Sequence, residues 1–193
     1  MRKTLMAALL AGPLSFGLFA SAAQAAEVGY NYLELGYSQV DLDGTSVDFD
    51  GGALNGSALL GEQFFIYGGY GAHDSDPGSV DLDVTRLGFG WRHGIGESSD
   101  LVINANWVNY DIGSSFLGGD IDGYEVELGL RTAHGDRFES LVAIGYEDGN
   151  DVDGDVYGRL SGHFKFNQRW GLVGSASFHD GGNEYFVGPR LSF

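Results

Sequence analysis

The acidic stretch 147–155 is the part of the sequence whose residue types come closest to a metal site. Its letters run EDGNDVDGD, so Asp151, Asp153 and Asp155 alternate with Val152 and Gly154. Carboxylate oxygens on a flexible loop suit Ca²⁺, which takes about six to eight oxygen ligands. The spacing departs from the EF-hand pattern, because a glycine comes early and no glutamate stands at the twelfth position. Two interpretations stay open: a Ca²⁺ site at these three aspartates, or a solvated acidic loop without a cofactor.

Two His-Asp dipeptides, His73-Asp74 and His179-Asp180, have the residue types of general acid–base chemistry. Such catalysis needs a histidine held beside an acid and the substrate. Neighbouring residues on a strand point to opposite faces, so a dipeptide alone does not make a catalytic pair. No serine stands in a nucleophile-elbow sequence. We therefore predict a protein that is not an enzyme, with a hydrolase acting at this rim as the weaker alternative.

The final residues 185–193 show the kind of element that would position these groups. Tyr185, Val187, Pro189, Leu191 and Phe193 alternate with residues that are mostly small or polar. A period of two is typical of a strand with one apolar and one polar face. A chain that stops in mid-strand on an aromatic resembles the closing strand of an outer-membrane β-barrel. In such barrels, residues like Tyr185, Val187, Leu191 and Phe193 form the assembly signal read by the barrel assembly machinery.

The same alternation recurs along the chain and predicts an all-β fold, a transmembrane antiparallel up-and-down β-barrel. Strands of about ten residues, the length that a tilted strand needs to cross a membrane, are expected in ten segments. Eight strands is the alternative, since two of the segments are weak. The predicted strands are 30–40, 49–60, 64–73, 84–93, 101–110, 123–132, 138–147, 156–166, 171–179 and 185–193.

The polar phase of these strands predicts a charged lumen. Four acids and six bases in a narrow cross-section should pair, because an unpaired buried charge is costly. A barrel filled in this way is expected to be plugged by its own side chains rather than wide open. The predicted lumen charges are Glu34, Arg86, Arg92, Glu125, Glu127, Arg131, Glu147, Arg159, Lys165 and Arg190.

The N-terminal residues predict export. Arg2 and Lys3 precede an apolar run, and Ala23-Gln24-Ala25 has the small-x-small form of a cleavage site. We therefore expect a cleaved signal peptide over 1–25 and a single barrel domain over 26–193. The formal net charge of −17 argues against nucleic acid as a partner. Cysteine is absent, so no disulfide framework is expected.

Four stretches carry a family resemblance: NYLELGY near the start of the barrel domain, GYEDGNDVDGDVYGRL, KFNQRWGL and the ending FVGPRLSF. Together they resemble a small outer-membrane β-barrel family of Gram-negative bacteria, of OmpX-like general architecture, whose expression is linked to diffusible-signal-factor regulation. The resemblance implies an outer-membrane location, release in outer-membrane vesicles, and links to motility, biofilm, virulence and host interaction. It implies no active-site residue.

The expected function is therefore non-enzymatic. The acidic connections after alternate strands are expected to face outward and to serve envelope integrity, surface adhesion, biofilm or host interaction. The expected partners are outer-membrane lipid, lipopolysaccharide, the barrel assembly machinery and surface or host ligands. The main alternative is a narrow, porin-like channel for small polar solutes.

Overall fold

Ten antiparallel strands form the protein in the computed structural model, which describes residues 28–44, 47–76, 80–114, 118–150 and 154–193. No helix in these ranges is long and apolar enough to span a membrane. The predicted signal peptide lies outside them and stays a prediction. The strands are β1 (Tyr32–Leu42), β2 (Asp48–Leu60), β3 (Phe64–Asp76), β4 (Val80–Gly94), β5 (Ser99–Ser114), β6 (Gly119–His134), β7 (Phe138–Gly149), β8 (Asp155–Lys165), β9 (Trp170–His179) and β10 (Gly182–Ser192).

The sheet is closed, because β1 pairs with β10 as well as with β2. The closing register runs from Tyr32 opposite Ser192 to Leu42 opposite Gly182. Every strand thus has two antiparallel neighbours, which leaves no open sheet edge. The ten-stranded barrel predicted from the sequence is confirmed, and the eight-stranded alternative is wrong. We call the end where β1, β3, β5, β7 and β9 begin the turn end, and the end where they finish the loop end.

The outer face of the barrel is apolar on every strand. A continuous exposed band of this kind is unlike the surface of a water-soluble monomer and fits an apolar cover. One exposed residue from each strand, in order from β1, illustrates it: Leu35, Leu54, Ile66, Leu87, Ile103, Leu128, Ile144, Leu160, Leu172 and Val187.

Exposed aromatic side chains border this band at both ends, as expected for the two interfaces of a lipid layer. The set at the turn end contains Phe64, Phe138, Phe166, Trp170 and Phe193. The set at the loop end contains Tyr37, Tyr70, Trp107, Tyr124, Tyr146, Phe178 and Tyr185.

The inner face carries large aromatic rings that lie over glycines of the neighbouring strand. The ring of Phe65 occupies the space where a Cβ of Gly90 would stand, and the ring of Tyr157 does the same at Gly145. Glycine is required at both positions because any side chain would collide with the ring. This arrangement lets bulky residues fill a narrow lumen.

Several strands extend farther toward the loop end than the sequence pattern predicted, and β4, β5 and β6 do so by four residues each. β4 begins at Val80 rather than at residue 84, β5 continues to Ser114, and β6 begins at Gly119 rather than at residue 123. The described residues of the Asp-rich segments 74–83 and 111–122, which were expected as loops, are therefore largely strand. Leu82 shows the reason: it turns inward and packs in a buried apolar cluster with Val40, Phe49, Val84 and Val108, while the aspartates face outward.

Candidate functional site: the lumen and the loop end

Nine of the ten side chains predicted as lumen charges form ion pairs inside the barrel, and the tenth, Glu147, contacts His179. Glu34 pairs with Arg190, and Arg92 with Asp100. The other predicted charges form three groups, one at mid-barrel, one near the turn end and one near the loop end. These groups join strands that are far apart in sequence.

The mid-barrel group centres on two fully buried carboxylates, Glu125 and Glu127. Nε of Arg86 lies 3.2 Å from Oε1 of Glu125, and an Nη of Arg159 lies 3.2 Å from Oε2 of Glu127. The amide of Asn106 donates to Glu125 at 2.7 Å. Two carboxylates on one strand are therefore neutralised by arginines of two other strands, which ties β4 and β8 to β6 across the lumen.

The turn-end group centres on Glu139, which is not among the predicted lumen charges. Its carboxylate lies 2.9 Å from Arg131 and 2.5 Å from Lys165, and its side chain is about 3% exposed. His163 approaches the same carboxylate at 4.0 Å. Glu139 is thus the shared counter-ion of two basic side chains that the sequence predicted to be luminal. Its position between Phe138 and Ser140 on an alternating strand is the sequence feature that could have identified it as a luminal residue.

Residues 28–31 fold back into the turn end of the barrel, and we call this segment the N-terminal plug. Val28 and Tyr30 are buried there in an apolar cluster with Phe65, Val102 and Ala133. The sequence pattern predicts a first strand that starts at residue 30, but β1 begins at Tyr32. The alternation of residue types extends to Tyr30, but it does not indicate that this ring packs across the lumen.

Polar contacts hold the N-terminal plug in place. The hydroxyl of Tyr30 donates to Asp100 at 2.9 Å, and Arg131 donates to the carbonyl of Gly29 at 2.7 Å. The guanidinium carbons of Arg92 and Arg131 lie 4.9 and 4.6 Å from the centroid of the Tyr30 ring. Guanidinium groups over an aromatic face attract it electrostatically. The plug is therefore held inside the turn end by contacts with several strands at once.

The barrel seam is reinforced from inside by Glu34 and Arg190, which face each other in the β1–β10 register. Nε of Arg190 donates to Oε1 of Glu34 at 2.6 Å, and both residues are buried. The guanidinium also lies 4.0 Å from the centroid of the Tyr32 ring. This pair links the first strand directly to the last.

Near the loop end, an arginine–glutamate contact and a histidine–glutamate contact lie inside the lumen. Arg86 donates to Glu184 at 2.6 Å and to the hydroxyl of Tyr110 at 3.1 Å. Glu147 lies 2.9 Å from Nδ1 of His179. Glu184 is not among the predicted lumen charges. It shares the inward parity of the last strand, and this parity could have identified it as a luminal residue.

A cavity of about 230 Å³ lies beside these ion pairs. Small residues of β2 and β3 form part of its wall, and the side chains of Arg86, Arg131, Arg159 and Arg190 also line it. A space of this size has room for several water molecules. The lumen is therefore crossed by paired charges but is not packed solid.

The predicted Ca²⁺ ligands are only partly within the described residues. Asp151 and Asp153 lie outside them. Asp155 is described: its carboxylate accepts the backbone N–H of Asp180 at 2.6 Å and that of Val156 at 2.7 Å. The Ca²⁺ interpretation of the acidic loop stays a prediction.

The two His-Asp dipeptides do not form catalytic pairs. His73 is buried, with Nδ1 3.0 Å from the carbonyl oxygen of Leu82, whereas Asp74 is exposed. His179 contacts Glu147, and Asp180 is exposed. Alternation along the strand separates each histidine from the acid next to it, as expected.

The outer face at the loop end carries two rows of aspartates in register across neighbouring strands. Asp50 faces Asp74, which faces Asp81. Below them, Asp83 faces Asp111, which faces Asp120. We call these six residues the acidic rim. Like charges directly opposite each other destabilise a sheet, so the rim costs folding free energy.

The acidic rim lies just beyond the aromatic border of the apolar band. The hydroxyls of Tyr124 and Tyr146 donate to Asp148 at 3.2 and 3.3 Å. These tyrosines thus have their rings on the apolar side and their hydroxyls among carboxylates. The change from apolar to acidic surface is completed within a few residues of each strand.

The residues of the predicted assembly signal are all on the outer face near the barrel seam. Tyr185, Val187 and Phe193 are exposed, and Leu191 is half-buried. The backbone N–H of Phe193 donates to the carbonyl of Asn31 at 3.2 Å. Their use as a signal for assembly stays a prediction.

Comparisons with known proteins bear on the fold. No family model matches the sequence, and no curated protein matches it. An outer-membrane channel from Pseudomonas putida F1 is similar in structure, with a TM-score of 0.55 and 13% identity over 92% of this chain and 100% of that chain. The β-domain of the Bordetella autotransporter BrkA has a TM-score of 0.51 and 11% identity over 86% and 100%. At these identities the likeness shows the fold, an antiparallel barrel of the outer-membrane type.

Proposed function

We propose that this chain is a bacterial outer-membrane β-barrel without catalytic activity that acts at the cell surface through its acidic loop end. The observation that carries the proposal is the acidic rim, the two in-register rows of aspartates. A sheet that places like charges opposite each other loses stability. We infer that these aspartates are retained despite the loss of stability because their carboxylates contact a partner outside the barrel.

The orientation and location are part of the proposal. The apolar band with its two aromatic borders supports insertion in a lipid layer. With the turn end on the periplasmic side, the acidic rim faces outward, toward lipopolysaccharide and the surroundings of the cell. The barrel assembly machinery is then the partner for insertion, and outer-membrane vesicles are a further location.

The cellular role proposed for the acidic loop end is envelope integrity, adhesion, biofilm or host contact. The resemblance of NYLELGY and FVGPRLSF to the barrel family linked to diffusible-signal-factor regulation supports this choice, since that family implies such roles. The contact of His73 supports the absence of catalysis, because its Nδ1 lies against the carbonyl oxygen of Leu82 and not against an acid.

Neutralising one row of the acidic rim should weaken the surface role and stabilise the barrel. In the triple variant Asp83→Asn, Asp111→Asn, Asp120→Asn we expect surface attachment and biofilm mass to fall. Relief of repulsion should raise the free energy of unfolding by about 0.2–1 kcal/mol per cross-strand pair. The measurements are an attachment assay on cells expressing each variant and urea unfolding of the refolded barrel.

The matched control makes the same change of charge at the other end, in the exposed residues Glu62→Gln, Glu97→Gln and Asp136→Asn. This control should attach like the unmodified protein. Equal attachment by the rim variant and the unmodified protein at equal surface abundance would contradict the proposal.

A narrow passage for small polar solutes is the second candidate. The cavity of about 230 Å³, lined in part by four arginines, favours it. The N-terminal plug and the charge pairs on either side of the cavity oppose it. A passage would require the plug or the mid-barrel ion pairs to move.

Conductance separates the two candidates. We expect the refolded full barrel to give no discrete current steps in a planar bilayer, with or without Ca²⁺, because the plug and the paired charges obstruct the lumen. Long-lived, uniform steps from the unmodified barrel would place transport first. The control is empty detergent added at the same concentration to the same bilayer.

A further inference from the structure

We propose that Glu147, Asp155 and His179 form a binding site for a divalent transition-metal ion, with Zn²⁺ as its representative, at the luminal side of the loop end. The three residues come from the end of β7, the start of β8 and the end of β9, which are neighbours in the barrel. One ligand atom from each lies within 4.8 Å of the others. This group differs from the predicted Ca²⁺ loop and shares only Asp155 with it.

The ligand atoms of the three residues lie within reach of one ion. Zn²⁺ holds nitrogen and oxygen ligands at about 2.0–2.2 Å, which places tetrahedral ligand atoms roughly 3.4 Å apart. Nδ1 of His179 and Oε1 of Glu147 are 2.9 Å apart. A small rotation of the Asp155 or Glu147 side chain would bring the three ligand atoms around one ion, with open positions left for water.

The imidazole of His179 is an independent indication of a ligand. Its side chain is about 10% exposed, and Nε2 is buried without a hydrogen-bond partner among the described residues. Buried polar atoms are normally satisfied, so an orphaned nitrogen on this ring indicates a partner that the described residues do not supply.

The ring is also held in position. It stacks on the ring of Tyr157 with the centroids 4.8 Å apart and an interplanar angle of 19°. The Asp155 carboxylate is also held in position, because it accepts hydrogen bonds from the backbone N–H groups of Val156 and Asp180. Each accepting oxygen has a second lone pair, so these bonds orient the carboxylate and leave it able to bind a metal.

The ligand set selects the chemical class of the ion. Two carboxylates and one imidazole suit Zn²⁺ and its first-row neighbours, whereas Ca²⁺ and Mg²⁺ take oxygen ligands alone. The surrounding charge is favourable, because the exposed acids at this end attract cations. The guanidinium of Arg86 pairs with Glu184 and not with any of the three ligand residues.

The test is Zn²⁺ binding to the refolded full barrel in detergent, measured by isothermal titration calorimetry, with folding checked by the shift in gel mobility on heating. We expect one Zn²⁺ per chain, and at least tenfold weaker binding in His179→Gln and in Asp155→Asn. Co²⁺ in place of Zn²⁺ should give visible absorption bands that disappear in His179→Gln. Ca²⁺ should bind at least tenfold more weakly than Zn²⁺.

The matched control is His134→Gln, which removes an exposed histidine at the turn end that contacts the hydroxyl of Ser140 at 2.7 Å. This variant should bind Zn²⁺ like the unmodified protein. The proposal is overturned by an unmodified barrel that takes up no Zn²⁺, by His179→Gln binding unchanged, or by His134→Gln losing as much as His179→Gln. Ca²⁺ binding that is tighter than Zn²⁺ and independent of His179 would also overturn it, in favour of the acidic loop.

Discussion

Substituting Tyr30 with alanine is expected to open the turn end of the barrel and to produce discrete current steps where the unmodified protein gives none. The ring of Tyr30 packs on Phe65 at 4.8 Å between centroids and lies under two guanidinium groups. Its removal leaves a void in the apolar cluster and takes the hydroxyl partner from Asp100. The expected loss of stability is about 3–5 kcal/mol, as for other buried aromatic residues changed to alanine.

The matched control is Tyr37→Ala, because Tyr37 is an exposed tyrosine on the outer face of β1. It removes the same side chain without touching the lumen and should stay silent. A second variant that lacks residues 28–30 tests the plug without relying on one cavity. If both plug variants stay as silent as Tyr37→Ala while still folded, the lumen is closed by the mid-barrel ion pairs and the plug is not the barrier.

Replacing Glu139 with glutamine should be the most destabilising change of a single charge in the lumen. The carboxylate is buried and serves Arg131 and Lys165 together, besides accepting the N–H of Gly29 at 3.3 Å. Breaking a buried pair from one side leaves uncompensated charge, which costs about 3–5 kcal/mol. Urea unfolding followed by tryptophan fluorescence in detergent measures the change in the free energy of unfolding.

The control for Glu139 is Glu97→Gln, an exposed glutamate at the turn end, which should change stability by less than about 0.5 kcal/mol. The double variant Glu139→Gln, Lys165→Met should regain part of the loss, since it removes one of the two orphaned cations. A loss in Glu139→Gln no larger than that in Glu97→Gln would show that solvent in the lumen screens these charges.

These two substitutions act on one structural unit, because Glu139 and Tyr30 meet through Arg131. Arg131 donates to Glu139 at 2.9 Å and lies over the Tyr30 ring. The ion pairs at the turn end and the N-terminal plug therefore support each other. We expect their effects on stability to be non-additive when combined, as is usual for residues in one network.

The sequence by itself determined the strands, their two faces and the class of the fold. In an extended strand the direction of a side chain depends only on whether its position is odd or even. Residues such as Leu87, Leu128 and Leu160 could therefore be placed outside, and Arg86, Glu127 and Arg159 inside, without any knowledge of strand pairing. The aromatic borders followed from the same parity together with strand length.

The predicted strand ends were less accurate, because apolar alternation fades where the strands leave the apolar band. The outward positions of β4, β5 and β6 change there from Leu87 and Trp107 to Asp83, Asp111 and Asp120. Acidic residues suggested loops, but the backbone pairing continues. Whether a polar segment stays in a sheet depends on its neighbours, as at Leu82, which packs inward against Val84 and Phe49.

Only the tertiary structure decided which charges meet and what closes the lumen. Glu34 and Arg190 are 156 positions apart, and Arg86 and Glu184 are 98 apart. Their contacts depend on closure of the barrel and on its register, which no local pattern determines. The N-terminal plug and the group of Glu147, Asp155 and His179 also depend on closure of the barrel. In each, residues that are apart in sequence come together because ten paired strands surround a common lumen.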